Sequence, residues 1–291
     1  MSAVAQVRSF NRTVTRQVGA LEAHFLETPR SLAACRLLFE IGTRGQEVVH
    51  LRTRLGLDSG YLSRLLRGLE REGLVTTGGA RRDSRVRRAT LTPKGRRELA
   101  RLNRKSDAAA KALLARLAPA QQHTLVEAMR TVERLVTASA VEIRPEPLTS
   151  AAARYCLEAY FAEIGARFAA GFDPARSPTP AAAFTPPNGC FLVAWLHGDP
   201  VGCAGLRFGP GYAEVKRMWV APEARGLGIG RRLLERLEEL TRRRRRPILR
   251  LETNRALPEA QQLYRSHGFR EVPPFNDEPY AHVWFEKAMR S

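Results

Sequence analysis

Arg225-Gly226-Leu227-Gly228-Ile229-Gly230 stands directly after a strand-like run, Tyr212–Val220, and directly before a helix-like one, Arg231–Arg244. Three glycines in this stretch let the backbone approach a ligand closely, and the N–H groups that open a helix stabilise an anion. A dinucleotide fingerprint would read GxGxxG after the first strand of a βαβ unit, with an acidic residue about 20 positions on. Here the spacing is GxGxG, and the strands before it read as an antiparallel meander. Cys190–Leu196 and Val201–Phe208 make a hairpin around His197-Gly198-Asp199-Pro200, and Tyr212–Val220 is the third strand. The loop therefore reads as an anion cradle in a domain that is not a dinucleotide fold.

Beyond the loop, Ile248–Glu252 is strand-like, Pro258–His267 helical, and Phe269–Glu271 and His282–Lys287 are short strands. Upstream, Ala151–Ala170 is helical, and Gly171–Asn188, with its five prolines, reads as an ordered loop or lid. Ile143-Arg-Pro-Glu-Pro147 reads as a joint, because two closely spaced prolines end a helix.

Four segments carry a resemblance: Glu214-Val215-Lys216-Arg217-Met218-Trp219-Val220-Ala221-Pro222, the glycine loop, Leu251-Glu252-Thr253-Asn254, and Ala260-Gln261-Gln262-Leu263-Tyr264-Arg265-Ser266-His267-Gly268-Phe269. Together they resemble the Gcn5-related N-acetyltransferase (GNAT) family over about residues 141–289. That family's cofactor loop follows Arg/Gln-x-x-Gly-x-Gly/Ala, which Arg225, Gly228 and Gly230 match. The resemblance implies an α/β (α+β) fold with a mixed central sheet. It also implies acetyl-CoA as cofactor and direct transfer to an amine, with no covalent enzyme intermediate. The backbone of Gly226, Leu227, Gly228, Ile229, Gly230 and Arg231, with the Arg225 and Arg231 side chains nearby, would hold the pyrophosphate. Met218, Trp219 and Val220 would bond the pantetheine arm and polarise the thioester carbonyl. Tyr264 matches the general acid, and Asn254 would help place the pantetheine. Glu214 is the candidate general base, acting through water on an ammonium substrate. Trp219 is also expected in the core, His267 as a cap, and Arg242–Arg246 as a solvated helix end. The acceptor pocket is expected between Tyr155–Phe172, the proline-rich loop and the acidic turn Asn276-Asp277-Glu278-Pro279-Tyr280.

Residues 8–142 have a different texture. Ser31–Ile41 carries Leu32, Cys35, Leu38 and Phe39 on one helical stripe, and Val48, Leu51 and Leu55 mark a short helix ending at Gly56. Asp58 or Ser59 caps the next helix, with Leu62, Leu65, Leu66 and Leu69 on its apolar face. Leu74–Thr77 and Val86–Leu91 read as two strands around a Gly- and Arg-rich turn, and a long helix from Pro93 toward Leu117 is broken at Pro119 before a last helix. Helix, short helix, turn, helix and two-stranded wing form a geometry that reads DNA. Ser59, Gly60, Tyr61, Ser63, Arg64 and Arg67 lie off the apolar stripe, and the wing holds Arg81, Arg82, Arg85, Arg87 and Arg88. The runs Asp58-Ser-Gly-Tyr-Leu-Ser-Arg-Leu65, Leu69-Glu-Arg-Glu-Gly-Leu-Val75, Asp83-Ser-Arg85 and Leu91-Thr-Pro-Lys-Gly95 resemble the MarR family of bacterial regulators. That resemblance implies a mainly α winged helix-turn-helix dimer on a palindromic operator in double-stranded DNA, with Arg85 at the wing tip.

The formal net charge is +19. Residues 1–142 hold 26 basic against 13 acidic residues, and 143–291 hold 22 against 16. Such an excess favours polyanions. No apolar run reaches the ~20 residues of a membrane-spanning helix, and Met1–Phe10 shows no secretory pattern. Cys35, Cys156, Cys190 and Cys203 show neither CxxC pairing nor metal spacing, so reduced thiols, no metal and a cytoplasmic location are expected.

The expectation is two domains: 1–140, MarR-like, DNA-binding and homodimeric, and 141–291, a GNAT acyltransferase for a small amine. Two other readings fit the same motifs. One is a non-catalytic regulator that senses CoA or another ligand. The other is a protein-lysine or aminoacyl acetyltransferase.

Overall fold

The computed structural model describes residues 1–19, 25–80, 83–169, 171–178 and 180–289, and for 79, 80 and 83–86 the backbone alone. The chain divides into two compact units, Met1–Glu127 and Ala128–Ser291.

The first unit opens with α1 (Ala3–Gln17), followed by α2 (Leu32–Ile41), β1 (Gln46–Glu47), α3 (Val48–Leu55) and α4 (Ser59–Arg71). Asp58 caps α4, its carboxylate accepting from Tyr61 N at 2.8 Å, and Gly56, at φ 62°, ends α3 in the left-handed region that glycine favours. β2 (Val75–Ala80) and β3 (Asp83–Leu91) form a hairpin, and β1 adds to β3 in a three-stranded antiparallel sheet. Both strands run further into the Arg-rich segment than their apolar content suggests. α5 (Pro93–Leu114) follows, with Thr92 as its cap. Pro119 opens α6 (Pro119–Ser139) and does more than break α5, because its fixed φ suits a first helical position. Leu37, Leu38, Ile41, Leu51, Leu62, Leu66, Leu69 and Leu102 make the buried core.

The second unit is built on a seven-stranded sheet. Its strands are β4 (Val141–Pro145), β5 (Gly189–Leu196), β6 (Asp199–Gly209), β7 (Tyr212–Val220), β8 (Ile248–Thr253), β9 (Arg270–Val272) and β10 (Val283–Ala288). The order is β4-β5-β6-β7-β8-β10-β9, antiparallel except where β7 meets β8. The expected joint at 143–147 is corrected: Val141–Pro145 pairs with β5. Pro145 is tolerated because β4 is an edge strand, where a missing N–H costs no ladder bond. α7 (Ala151–Arg167), α8 (Ile229–Arg243) and α9 (Pro258–Ser266) complete the unit. α8 lays Leu233, Leu234 and Leu237 into the core with Phe191, Leu206, Leu249 and Phe285.

Two departures from regular pairing shape the surface of this sheet. β7 and β8 pair only from Tyr212↔Ile248 to Glu214↔Arg250. Beyond that point the two strands have no shared register, and the β8-facing edge of Val215–Val220 is left without a partner strand. In addition, Cys203 pairs with Trp219 while Gly205 pairs with Lys216, so β7 carries one extra residue against β6. Arg217, at φ 55°, sits in this bulge.

Candidate active site

The loop after β7 turns through Pro222–Ala224 and reaches Gly226 (φ 79°) and Gly228 (φ 75°), both in the left-handed region. A Cβ built on either would meet nothing within 4 Å, so the requirement for glycine is conformational and the backbone there is open. Gly228 is the N-cap of α8 and has no side chain to offer the helix. The first α8 hydrogen bond runs from Arg232 N to Gly228 O at 3.0 Å. The N–H groups of Ile229, Gly230 and Arg231 precede it and point out of the helix end, with the positive pole of the dipole behind them. A Cβ on Gly230 would lie 3.0 Å from Leu263 and 3.5 Å from Met218, so the third glycine lets the Leu263 side chain pack close to the helix.

This helix end opens into a cleft of about 550 Å³. Met218, Trp219, Val220, Arg225, Gly226, Gly228, Ile229, Gly230, Arg231 and Tyr264 all line it. Leu227 instead packs its side chain on the core. Arg225 does not reach toward the helix end as a free cation. Its Nη2 lies 2.6 Å from both Glu163 oxygens, and its Nε donates to Val220 O at 3.1 Å. Glu163 also accepts from Trp219 Nε1 at 2.9 Å. Burial would raise the Glu163 carboxyl, but the Arg225 and Trp219 hydrogen bonds outweigh it and hold it below the usual range. Glu163 thus ties α7 to the loop; nothing in the local sequence of α7 marks it. Arg231 is exposed and pairs with Glu235 at 2.9 Å.

A second, smaller cavity of about 100 Å³ fills the wedge between β7 and β8. Tyr160, Met218, Leu257, Ala260 and Tyr264 line both spaces. Tyr264 therefore stands where they meet. Its ring is buried against Phe269 and Phe285, and its hydroxyl lies 4.0 Å from Met218 Sδ. Burial, and then the neighbouring Tyr160 and Glu252, push its phenol above the ordinary range. The wall of the wedge comes from three segments: Phe168 and Phe172, Ser177 of the proline-rich loop, and Glu278, Tyr280 and Ala281 of the acidic turn.

Glu214 lines neither space. It is fully buried where β7 and β8 part, with Arg207 at 2.8 Å, Lys216 at 3.0 Å and Arg250 at 3.6 Å. Burial opposes its charge, but Lys216 and Arg207 win and hold the carboxyl below the usual range. Glu252, on β8, does line the wedge and is ion-paired to Lys216. Burial lifts its carboxyl, and Glu214 and Glu278 add to that against the pull of Lys216. Asn254 lines the wedge as well, yet its amide is committed elsewhere. Nδ2 donates to Tyr280 O at 2.8 Å, and Oδ1 accepts from Ala256 N at 2.9 Å. It braces the acidic turn against the β8–α9 connection. His267 ends α9 as its cap.

In the first unit, Ser59, Gly60, Arg64 and Arg67 are exposed on α4, with Tyr61 and Ser63 half-buried. Arg87 is exposed and donates to Thr77 Oγ1 at 3.2 Å. Arg88 turns inward to the carbonyls of Arg44 and Gly45. Arg81 and Arg82 lie outside the described residues, as does the side chain of Arg85.

A helix-end anion cradle joined to a wedge between diverging parallel strands defines an acyltransferase-type architecture, and the comparisons agree. Residues 187–271 match the acetyltransferase (GNAT) domain family. An N-alpha-acetyltransferase RimI of Mycobacterium tuberculosis is 34% identical over 145 residues, 47% of this chain and 84% of that protein. An uncharacterised N-acetyltransferase of Schizosaccharomyces pombe is 33% identical over 115 residues, 38% of this chain and 71% of that protein. An IAA acetyltransferase of Azospirillum brasilense is 47% identical over 92 residues, 31% of this chain; the chain spans 59% of that relative's length. The chain belongs to the GNAT family of N-acetyltransferases. Enzymes of this family use acetyl-CoA.

Proposed function

We propose that the chain is an acetyl-CoA-dependent N-acetyltransferase for a small amine, residues 141–291, fused to a DNA-binding regulator, residues 1–140. The observation that carries the enzymatic half is the shared boundary of the two cavities, at Tyr264 and Met218. The chain's residues fit the cofactor. Open N–H groups from Gly228 to Arg231 suit a pyrophosphate, and the unpaired edge of β7 at Met218, Trp219 and Val220 suits the extended amide arm. When bound, acetyl-CoA supplies a thioester-activated acetyl group and a thiolate leaving group. Tyr264 keeps a proton at its hydroxyl well above neutral pH and delivers it to the thiolate. Glu252, with its raised carboxyl in the wedge, takes the proton from the acceptor's ammonium. Glu214 is a poor base, because three cations favour its charged form. It fixes Lys216 instead. The test is calorimetry of acetyl-CoA with the full chain and with Gly228→Glu. Micromolar binding that the variant loses is expected; a folded native chain that binds none removes this reading.

For residues 1–140 the support is the element order and charge. α4 carries exposed Ser59, Gly60, Arg64 and Arg67 behind a capped N-terminus, a hairpin follows, and the sequence from 81 to 88 is basic, with Arg81, Arg82, Arg85 and Arg87. This is the layout of a winged helix of the MarR type, with α4 for the major groove. α1 and its C-cap expose Val4, Val7, Val14 and Val18, and α6 exposes Met129, Val132 and Val136, which suits pairing with a second copy. Homodimers on a palindromic operator follow, and a dimer mass in solution tests the pairing.

A further inference from the structure

The wedge has an unbalanced charge at each end. Lys216 is matched three times over, by Glu214 at 3.0 Å, by Glu252, and by Glu278 at 3.6 Å. Glu252 and Glu278 both line the cavity against that single lysine, which leaves the pole near β8 acidic. Arg217 is the opposite case. Among the described residues no carboxylate lies within ion-pair distance of it, although it lines the same cavity. Its guanidinium is held by rings, 5.0 Å from the centroid of Phe161 and 5.9 Å from those of Tyr160 and Phe172. One Nη donates to Ser177 O at 2.5 Å. The bulge that aims it keeps a non-glycine residue at φ 55°, a strain of roughly 1 kcal/mol or more.

Between these poles stands an apolar wall. Phe172 and Tyr280 lie with ring centroids 4.7 Å apart, and Phe168 and Tyr280 6.0 Å apart. The cavity itself is about 100 Å³, far below the several hundred Å³ of a drug-sized pocket. A guanidinium presents paired donors to a carboxylate, and carboxylates favour an ammonium.

Resting on the reading of the wedge as the acceptor side of an acetyltransferase, we propose that the acceptor is a small zwitterion: an apolar or aromatic α-amino acid whose carboxylate docks on Arg217 and whose ammonium faces Glu252 and Glu278. The side chain of the acceptor packs on Phe168, Phe172 and Tyr280. Transfer forms the amide C–N bond, breaks the thioester C–S bond and leaves the N-acetyl amino acid and CoA.

The experiment uses the full chain and matched acceptors, phenylalanine against phenethylamine and leucine against 3-methylbutylamine. CoA release and the mass of the acetylated product are followed, with acetyl-CoA calorimetry on every protein. The amino acids are expected to exceed their decarboxylated partners in kcat/KM by about tenfold or more, the scale of a charged hydrogen bond. Arg217→Asn, a residue that tolerates positive φ, is expected to raise KM for the amino acids by a similar factor. Its kcat and its turnover of the amines should stay near the native values, and Arg217→Lys should recover part of the loss. Equal or better turnover of the amines, unaffected by Arg217→Asn, overturns the carboxylate assignment while the acetyltransferase reading stands. Acetyl-CoA binding with no amino acid acetylated overturns it too. Loss of acetyl-CoA binding in the native chain sinks both.

Discussion

In the proposed mechanism Tyr264 and Glu252 divide the proton work, and each residue makes a separate prediction. Tyr264→Phe is expected to lower kcat by about 10²–10⁴, the usual reach of a positioned acid, while acetyl-CoA affinity stays within about twofold. Steady-state kinetics beside calorimetry checks this, and an unchanged kcat removes the role. Because Glu252 titrates above the ordinary carboxylate range, kcat/KM should rise with pH through its raised value. Glu252→Gln should abolish that limb and lower the rate by about 10². Glu214→Gln should lower stability and move the Glu252 limb to lower pH without abolishing it, because Glu214 holds buried cations and its charge adds to the lift on Glu252. The sequence points to Glu214 as the base and gives no reason to prefer Glu252, since both lie within strand-like runs of motif-rich text. Both reach the same lysine, and only the point where β7 and β8 part leaves Glu214 sealed among cations and Glu252 on the cavity wall.

Whole elements were the most legible level. Helix starts carry their caps in the text, as Ser31, Asp58, Thr92 and Ser150 do. Glycine and proline mark the ends, and the glycine loop announces the start of α8. Less legible were β4, hidden by Pro145 at an edge, and the bulge in β7, since nothing local distinguishes Arg217 from its neighbours. The cap of α4 gives a direct test: Asp58→Ala is expected to cost about 1 kcal/mol, read as a lower Tm. A second concerns α5. Glu98 is held below the ordinary range by its hydrogen bond to Arg101 and by Arg30 at 2.6 Å. A depressed folded carboxyl contributes stability above the unfolded value and loses it as pH falls through the folded one. The first unit should therefore melt earlier as pH drops below the normal glutamate range, and Glu98→Gln should flatten that dependence in thermal unfolding between pH 7 and pH 3.

At the scale of the whole molecule, the uneven charge of the two halves governs how it would meet DNA. Binding through α4 and the hairpin should weaken steeply with salt, because each neutralised phosphate releases counterions. Arg64→Ala should lose affinity and relax sequence preference, whereas a phosphate-contacting arginine would change affinity uniformly. Affinity for a selected operator that stays constant from low to high salt would remove the DNA-binding half of the proposal. The bulge in β7 also constrains how this sheet can evolve. Deleting one residue between Lys216 and Trp219 would restore regular pairing, with Lys216 still opposite Gly205 and Trp219 still opposite Cys203, and would remove the irregularity that aims Arg217. Under the acceptor proposal, preference can drift by substitution at Arg217 or at the rings of Tyr160, Phe161 and Phe172 around it, while the one extra residue of β7 has to be kept.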